Sequence, residues 1–138
     1  MSAAARLRRR DEGAEIIVLE RSKYVSFANC GLPYYVGGEI EDPAKLLLHT
    51  PQTLKAALNL DVRISSEVTA IDPGAHSVQV TNTETGEDYT LTYDHLILSP
   101  GGLAVRPPID GLDSPRVHTL RTVDDALALR EASGTRAV

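Results

Sequence analysis

The chain has one cysteine, one methionine, one phenylalanine and no tryptophan among its 138 residues. A single cysteine excludes an internal disulfide framework and any zinc site built from several thiolates. The four histidines, His49, His76, His95 and His118, are too scattered along the chain to supply a metal site instead. A basic surplus is also lacking, with 14 Lys and Arg against 19 Asp and Glu. That balance argues against nucleic acid as a partner, because a binder needs cations to neutralise phosphates. No apolar run approaches the ~20 residues that span a bilayer, so no membrane partner is expected. After Arg6, Arg8, Arg9 and Arg10 comes Asp11-Glu12-Gly13-Ala14-Glu15, where a secretory signal would need its apolar core. The composition therefore points to a soluble cytoplasmic chain in a reducing compartment, in which a lone thiol is either buried filler or a reagent.

What is present reads as alternating helices and strands. Ser2 to Arg10 is rich in Ala, Leu and Arg, with Ala3, Ala4 and Leu7 at helical spacing. It predicts a short helix whose arginines, Arg8 and Arg10 above all, form a solvated face. Ala14 to Leu19 is a nearly unbroken apolar run, which suits a strand covered on both faces in a parallel sheet. Arg21 to Asn29 lacks periodicity and reads as a loop. A helix is then expected to begin at Cys30-Gly31-Leu32-Pro33, proline being tolerated in a first turn, and to end at Gly37-Gly38. Thr50-Pro51 predicts an N-cap and the first position of a second helix running to Asn59. Four strands joined by hairpins follow, around Val62–Ile64, Val68–Ile71, Val78–Val80 and Tyr89–Leu91, with turn-rich Asp72-Pro73-Gly74 and 82–88 between them. Leu96-Ile97-Leu98 predicts a further buried strand, and Asp124 to Ala132 a last helix. No internal repeat or low-complexity linker is present.

Two features carry chemistry. Glu20 ends the first apolar strand, and in dinucleotide-binding βαβ units such a carboxylate accepts hydrogen bonds from a ribose about 20 residues after a glycine-rich turn. Counting back that far from Glu20 reaches Met1, so the glycine turn and first strand are expected to precede this sequence. A solvated strand terminus would look the same. At the other end, Arg136-Ala137-Val138 reads as the opening of a strand. The second feature is Ser26-Phe27-Ala28-Asn29-Cys30-Gly31-Leu32-Pro33-Tyr34-Tyr35. A lone Cys is often a buried small hydrophobe. A thiol at a helix start, by contrast, meets N–H groups and a dipole that favour the nucleophilic thiolate. Ser26 and Asn29 add groups able to hold a polar substrate.

This ten-residue segment resembles the active-site stretch of coenzyme A-disulfide reductases, within the FAD-dependent pyridine nucleotide-disulfide oxidoreductase family. The similarity extends to Ala3–Arg9, Ile16–Glu20, Thr50-Pro51, Glu67–Asp72 and Tyr93–Gly101. It implies an α/β, Rossmann-like FAD/NAD(P)-binding fold of three layers with an inserted antiparallel β-meander, incomplete in this sequence. Residues 1–133 would be a partial FAD-binding domain lacking its glycine fingerprint, and 134–138 the start of an NAD(P)H-binding domain. The resemblance further implies hydride transfer from NAD(P)H to FAD and then electron transfer to Cys30, which reduces coenzyme A disulfide. Cys30 would be the catalytic residue. Arg9, Ser26 and Asn29 would hold coenzyme A. Glu20, Arg21, Val68, Ser99, Pro100 and Gly101 would contact FAD. A homodimer is implied for the full-length enzyme, and no metal. The family's NADH oxidases, peroxidases and persulfide reductases are alternatives, Asn29 favouring the coenzyme A branch. From outside the enzymes, so is a non-catalytic binding domain on the same scaffold. With one cysteine, the oxidised state must be a mixed disulfide with a small thiol or a sulfenic acid.

Overall fold

A computed structural model describes residues 1–134. In chain order the elements are α1 (Ser2–Arg10), β1 (Ile17–Leu19), β2 (Ser26–Phe27), α2 (Leu32–Val36), β3 (Leu47–His49), α3 (Pro51–Leu58), β4 (Asp61–Arg63), β5 (Ser66–Asp72), β6 (Ser77–Asn82), β7 (Asp88–Thr92) and α4 (Val123–Ser133). They fall into two compact units, one of residues Met1–Ser26 and His49–Leu98, the other of Phe27–Leu48 and the chain from Ser99 onward. The strand opening expected at Arg136-Ala137-Val138 lies outside the described residues.

In the first unit, α1 forms as its alanines dictate, but the residue it turns inward is Arg8, only 9% exposed, while Leu7 is 41% exposed. This corrects the expectation of a solvated face at Arg8; Arg10 is exposed, as read. The reason lies in helix ends, whose last carbonyls have no intrahelical donor. Arg8 Nε donates to Leu58 O at 2.9 Å and Nη2 to Asn59 O at 3.0 Å, at the end of α3. Its Nη1 donates to Glu12 O at 2.6 Å, just past the end of α1. One guanidinium thus closes the carboxyl ends of two helices, and all its acceptors are backbone carbonyls. Helix α3 starts as read, with Pro51 in its first turn and Thr50 and Thr53 exchanging hydrogen bonds in a capping box. It stops at Asn59, whose φ of 47° is left-handed.

Strands β1 and β4 pair in parallel, Ile17 opposite Asp61, Val18 opposite Val62 and Leu19 opposite Arg63. The segment around Val62 is therefore not part of a hairpin series; its partner lies more than forty positions earlier, across a crossover connection. The hairpins are those of the meander β5-β6-β7, antiparallel throughout. Its alternation is that of a half-covered sheet, with Val78 and Val80 at 4% and 1% exposure and Gln79 between them exposed. Register slips between Val68 and Ala70 in a bulge. Asp72 Oδ1 accepts from the amides of Gly74 and Ala75, and Asn82 Oδ1 from those of Glu84 and Thr85, so each turn is shaped by its own first side chain. Leu54, Leu60 and Ile16 complete the core.

Leu96-Ile97-Leu98 is not a buried strand: Ile97 is 63% and Leu98 66% exposed, and among the described residues no strand pairs with them. Apolar β-branched sequence alone does not make a strand without a ladder to satisfy its N–H and C=O groups. Nor is β1 covered on both faces, its three residues being half-buried.

In the second unit, Leu32, Tyr35, Leu46, Val123 and Ala126 form the core, each under 9% exposed. The Ala28 amide donates to Leu46 O at 2.8 Å, beside the two-stranded pairing of β2 with β3. These strands of two and three residues are too short for periodicity to reveal, and β2 falls where a plain loop was expected. Helix α4 is held at its start by Thr122 and Asp125. The Asp125 amide donates to Thr122 Oγ1, and Asp125 Oδ2 accepts from the amides of Arg121 and Thr122, each at 2.8 Å. Burial pushes the Asp125 carboxyl up, but the Arg121 and Thr122 hydrogen bonds outweigh it and hold the carboxyl below its ordinary value. A carboxylate depressed in the folded state stabilises above its unfolded value of about 3.9, and that stabilisation is lost as pH falls through the folded value. Asp125→Asn is therefore expected to cost about 0.5–1 kcal/mol near neutrality, with the difference from wild type closing as thermal melts are taken below pH 4.

Candidate active site

Cys30 lies in a 3-10 turn, Asn29–Gly31, and α2 begins only at Leu32. The expected helix start is thus two residues late, and the thiol sits on the approach to the helix. The turn is closed by the Gly31 amide donating to Ala28 O at 2.9 Å. Cys30 is exposed and its thiol is free, and Asn29 beside it is exposed too. The turn presents this pair outward because the next residue can be buried. Gly31 has an ordinary φ of -79°, but a Cβ there would stand 3.0 Å from Leu46 Cδ2 and 3.5 Å from Ile40 Cδ1. Leu46 is wholly buried and has little room to yield. Gly31→Ala is expected to cost about 1–3 kcal/mol by overpacking, read as a lower urea midpoint with an unchanged slope.

Helix α2 has five residues and ends at Gly37-Gly38, as read, the Gly37 amide donating to Pro33 O at 2.8 Å. Arg130, in the last turn of α4, fastens that end. Its Nη1 donates to Tyr35 O at 2.9 Å and to Ile40 O at 2.6 Å, and its guanidinium carbon stands 4.4 Å from the Tyr35 ring centroid. Nothing in the local pattern of α4 marks this arginine; only its place in a last turn, where cations favour carbonyls, offers a signal.

The second group of predicted residues stands at the carboxyl end of β1. Glu20 is half-buried, and its Oε1 accepts from the Ser22 amide at 2.8 Å. The backbone is fixed on both sides, the Glu20 amide donating to Arg63 O and the Ser66 amide to Glu20 O, both at 2.9 Å. Arg21 pairs with Glu67 at 3.6 Å, next to Val68, which is 38% exposed at the bulge. So Glu20, Arg21 and Val68 share one edge. Two residues missed in sequence support it. Ser65, buried and left-handed at φ 51°, donates to Glu84 Oε1 at 3.0 Å, and Lys23 Nζ pairs with the same oxygen at 3.6 Å. Arg63 at the end of β4 is forked onto Asp61 Oδ2 at 2.8 and 3.0 Å, a hydrogen bond that raises its guanidinium above the usual value.

The remaining predicted residues are placed singly. Arg9 is exposed on α1, as is Arg6 three positions before it, whereas Arg8 is the guanidinium that is held. Ser26 is half-buried on β2. Ser99, Pro100 and Gly101 are exposed in irregular chain, with Gly101 at φ 75°. The four histidines are all exposed, and among the described residues no group of three His, Cys, Asp or Glu could hold a metal. None of the described helices is long and apolar enough to cross a membrane.

A parallel strand pair closed by a carboxylate, a meander packed on its end and a cysteine turn in separate chain define a class, and the pyridine nucleotide-disulphide oxidoreductase family model matches residues 1–138. The chain belongs to that family. Among its relatives is the coenzyme A disulfide reductase of Staphylococcus haemolyticus (strain JCSC1435), 38% identical over 128 residues, which are 93% of this chain and 28% of that protein. Among solved structures, reduced Bacillus anthracis CoADR-RHD superposes with a TM-score of 0.88 at 45% identity, covering 94% of this chain and 24% of that one. A NAD-dependent persulfide reductase from A. fulgidus follows with a TM-score of 0.84 at 35% identity, over 94% of this chain and 25% of that one. The chain spans about a quarter of the length of these relatives.

Proposed function

We propose that the chain is the partial FAD-binding domain, residues 1–133, of an NAD(P)H-dependent coenzyme A-disulfide reductase, with 134–138 opening the domain for the nicotinamide. The observation that carries this reading is the free, exposed Cys30 beside Asn29, in a chain with no second cysteine. The Cys30 thiolate attacks one sulfur of coenzyme A disulfide; that S–S bond breaks, a Cys30–coenzyme A mixed disulfide forms, and the departing coenzyme A thiolate takes up a proton. Asn29, Ser26 and Arg9 hold the substrate, Arg9 at its phosphates.

The edge at the end of β1 fits the adenosine half of FAD. Glu20 Oε1 is fixed by the Ser22 amide, which sets the carboxylate plane against the ribose hydroxyls. Arg21 and the Val68 backbone flank it, and Ser99, Pro100 and Gly101, exposed in irregular chain, are further contacts to FAD in this reading. FAD, when bound, supplies the electron pair, drawn from NAD(P)H, that releases the second coenzyme A and regenerates the Cys30 thiolate. A reducing, cytoplasmic setting and a homodimer of the full-length enzyme belong to the same reading.

The test is intact-mass analysis of the reduced chain after exposure to coenzyme A disulfide. One coenzyme A adduct, mapped to Cys30, is the expected result. A chain that gains only oxygen from peroxide, or only a persulfide sulfur, with no coenzyme A adduct, would overturn the assignment in favour of the peroxidase or persulfide branch.

A further inference from the structure

We infer that Arg130 is a positioning residue for Cys30, acting through Ile40 and Gly31; the inference rests on the disulfide role proposed for Cys30. The sequence puts Arg130 90 positions or more from the other three residues, and the fold joins them in one unit. Helix α2 is too short to hold its own carbonyl end by intrahelical bonds. Its Tyr35 carbonyl receives Arg130 Nη1 together with the Gly38 amide at 3.2 Å. The chain then folds back, the Ile40 amide donating to Tyr34 O at 3.1 Å, and the second Nη1 hydrogen takes Ile40 O. Ile40 is therefore pinned through its backbone from both sides. Its Cδ1, with Leu46 Cδ2 and Ala28 Cβ, lines the space that a Cβ on Gly31 would enter, at 3.5, 3.0 and 3.5 Å from that position, and Gly31 follows Cys30 directly. The guanidinium fixes Ile40, Ile40 fixes the height of Gly31, and Gly31 fixes the outward turn that carries the thiol.

Arginine suits this task and lysine does not. A planar guanidinium can donate two hydrogens from one nitrogen while stacking its face on the buried Tyr35 ring, whereas an ammonium is a compact point charge with no face to stack. Orientation matters because displacement of a reacting atom by about 1 Å costs about a hundredfold in rate.

The experiment compares wild type, Arg130→Met, Arg130→Lys and Thr122→Ala in the 138-residue chain, reading amide hydrogen exchange at Gly31 and Leu32 and the rate of coenzyme A adduct formation at Cys30. Thr122→Ala weakens the start of α4 but leaves the guanidinium in place, so it reports the effect of stability alone. Arg130→Met is expected to speed exchange at both amides about tenfold and to slow adduct formation by a similar factor, with Arg130→Lys between it and wild type. Thr122→Ala should move both by less than about twofold. Unchanged exchange and adduct rate in Arg130→Met overturn the inference, as does Thr122→Ala reproducing the same local pattern. Should Arg130→Met lose protection throughout the chain, Arg130→Lys decides, with faster exchange confined to residues near Gly31 expected and no local change overturning it. A wild-type chain that forms no adduct removes the proposed role of Cys30, while the exchange comparison still judges the grip of Arg130.

Discussion

Arg8→Ala is expected to destabilise the protein by about 3 kcal/mol, several times more than any other single arginine in α1. The size follows from what the guanidinium does. It donates to Leu58 O, Asn59 O and Glu12 O at 2.6 to 3.0 Å, and these carbonyls lie at the ends of two helices, beyond the reach of intrahelical N–H groups. Charged hydrogen bonds contribute about 1.5–3 kcal/mol apiece, reduced here because water partly replaces the lost donor at the unit's edge. Arg8→Lys should recover less than half, since one ammonium cannot span acceptors from two helices in the geometry of a fork. Arg6, Arg9 and Arg10 are exposed, and their alanine variants should stay within about 0.5 kcal/mol of wild type. Urea titrations of the five variants measure the whole series. An Arg8→Ala chain as stable as Arg10→Ala would show that the helix ends find water equally good.

Cys30→Ser is expected to remove every trace of coenzyme A adduct, and to lower disulfide reduction in a full-length enzyme carrying this segment by at least about 10³-fold. A serine hydroxyl is close to the thiol in size but is no nucleophile toward sulfur, because its alkoxide is not populated near neutrality. The substitution should leave stability within about 0.5 kcal/mol, since Cys30 is exposed and outside the core. Circular dichroism and urea midpoints check that side. Lost structure together with lost adduct would mark the residue as a part of the fold and not of the chemistry.

The helices α1, α3 and α4 were legible because each announces itself locally, through an alanine run, a Thr-Pro cap or an apolar period. The meander was legible through its alternation and its turn residues. What stayed hidden depends on partners distant in sequence. Val62 looks like the first strand of the meander and becomes the parallel partner of Val18 instead, because only the crossover through α3 decides its neighbour. Leu96–Leu98 has the composition of a strand without a ladder to join. The Cys30 segment stands out in sequence through its residue types, and the structure adds that Cys30 and Asn29 are exposed. That Glu20, Arg21 and Val68 share an edge follows from β1 and β5 meeting at the end of the parallel pair. Arg8 and Arg130 could not be found by periodicity. A charged residue spent on backbone carbonyls looks in sequence like any solvated arginine.

The two ends of the meander differ in how freely they could have changed length over time. The Asp72–His76 turn is satisfied by its own aspartate and by the stacking of His76 on Tyr93 at 5.6 Å, and its residues from Asp72 to His76 are exposed. Extra residues there pay only the slow logarithmic entropy of a longer loop, about 0.6 kcal/mol per doubling. The opposite turn carries Glu84, tied to Ser65 and Lys23 beside the edge that Glu20, Arg21 and Val68 share. An insertion at that end would drag the carboxylate away from both. Descendants of this sequence should therefore accumulate insertions at one hairpin tip and keep the other at a fixed length, and a tag or reporter spliced into the chain belongs at Gly74.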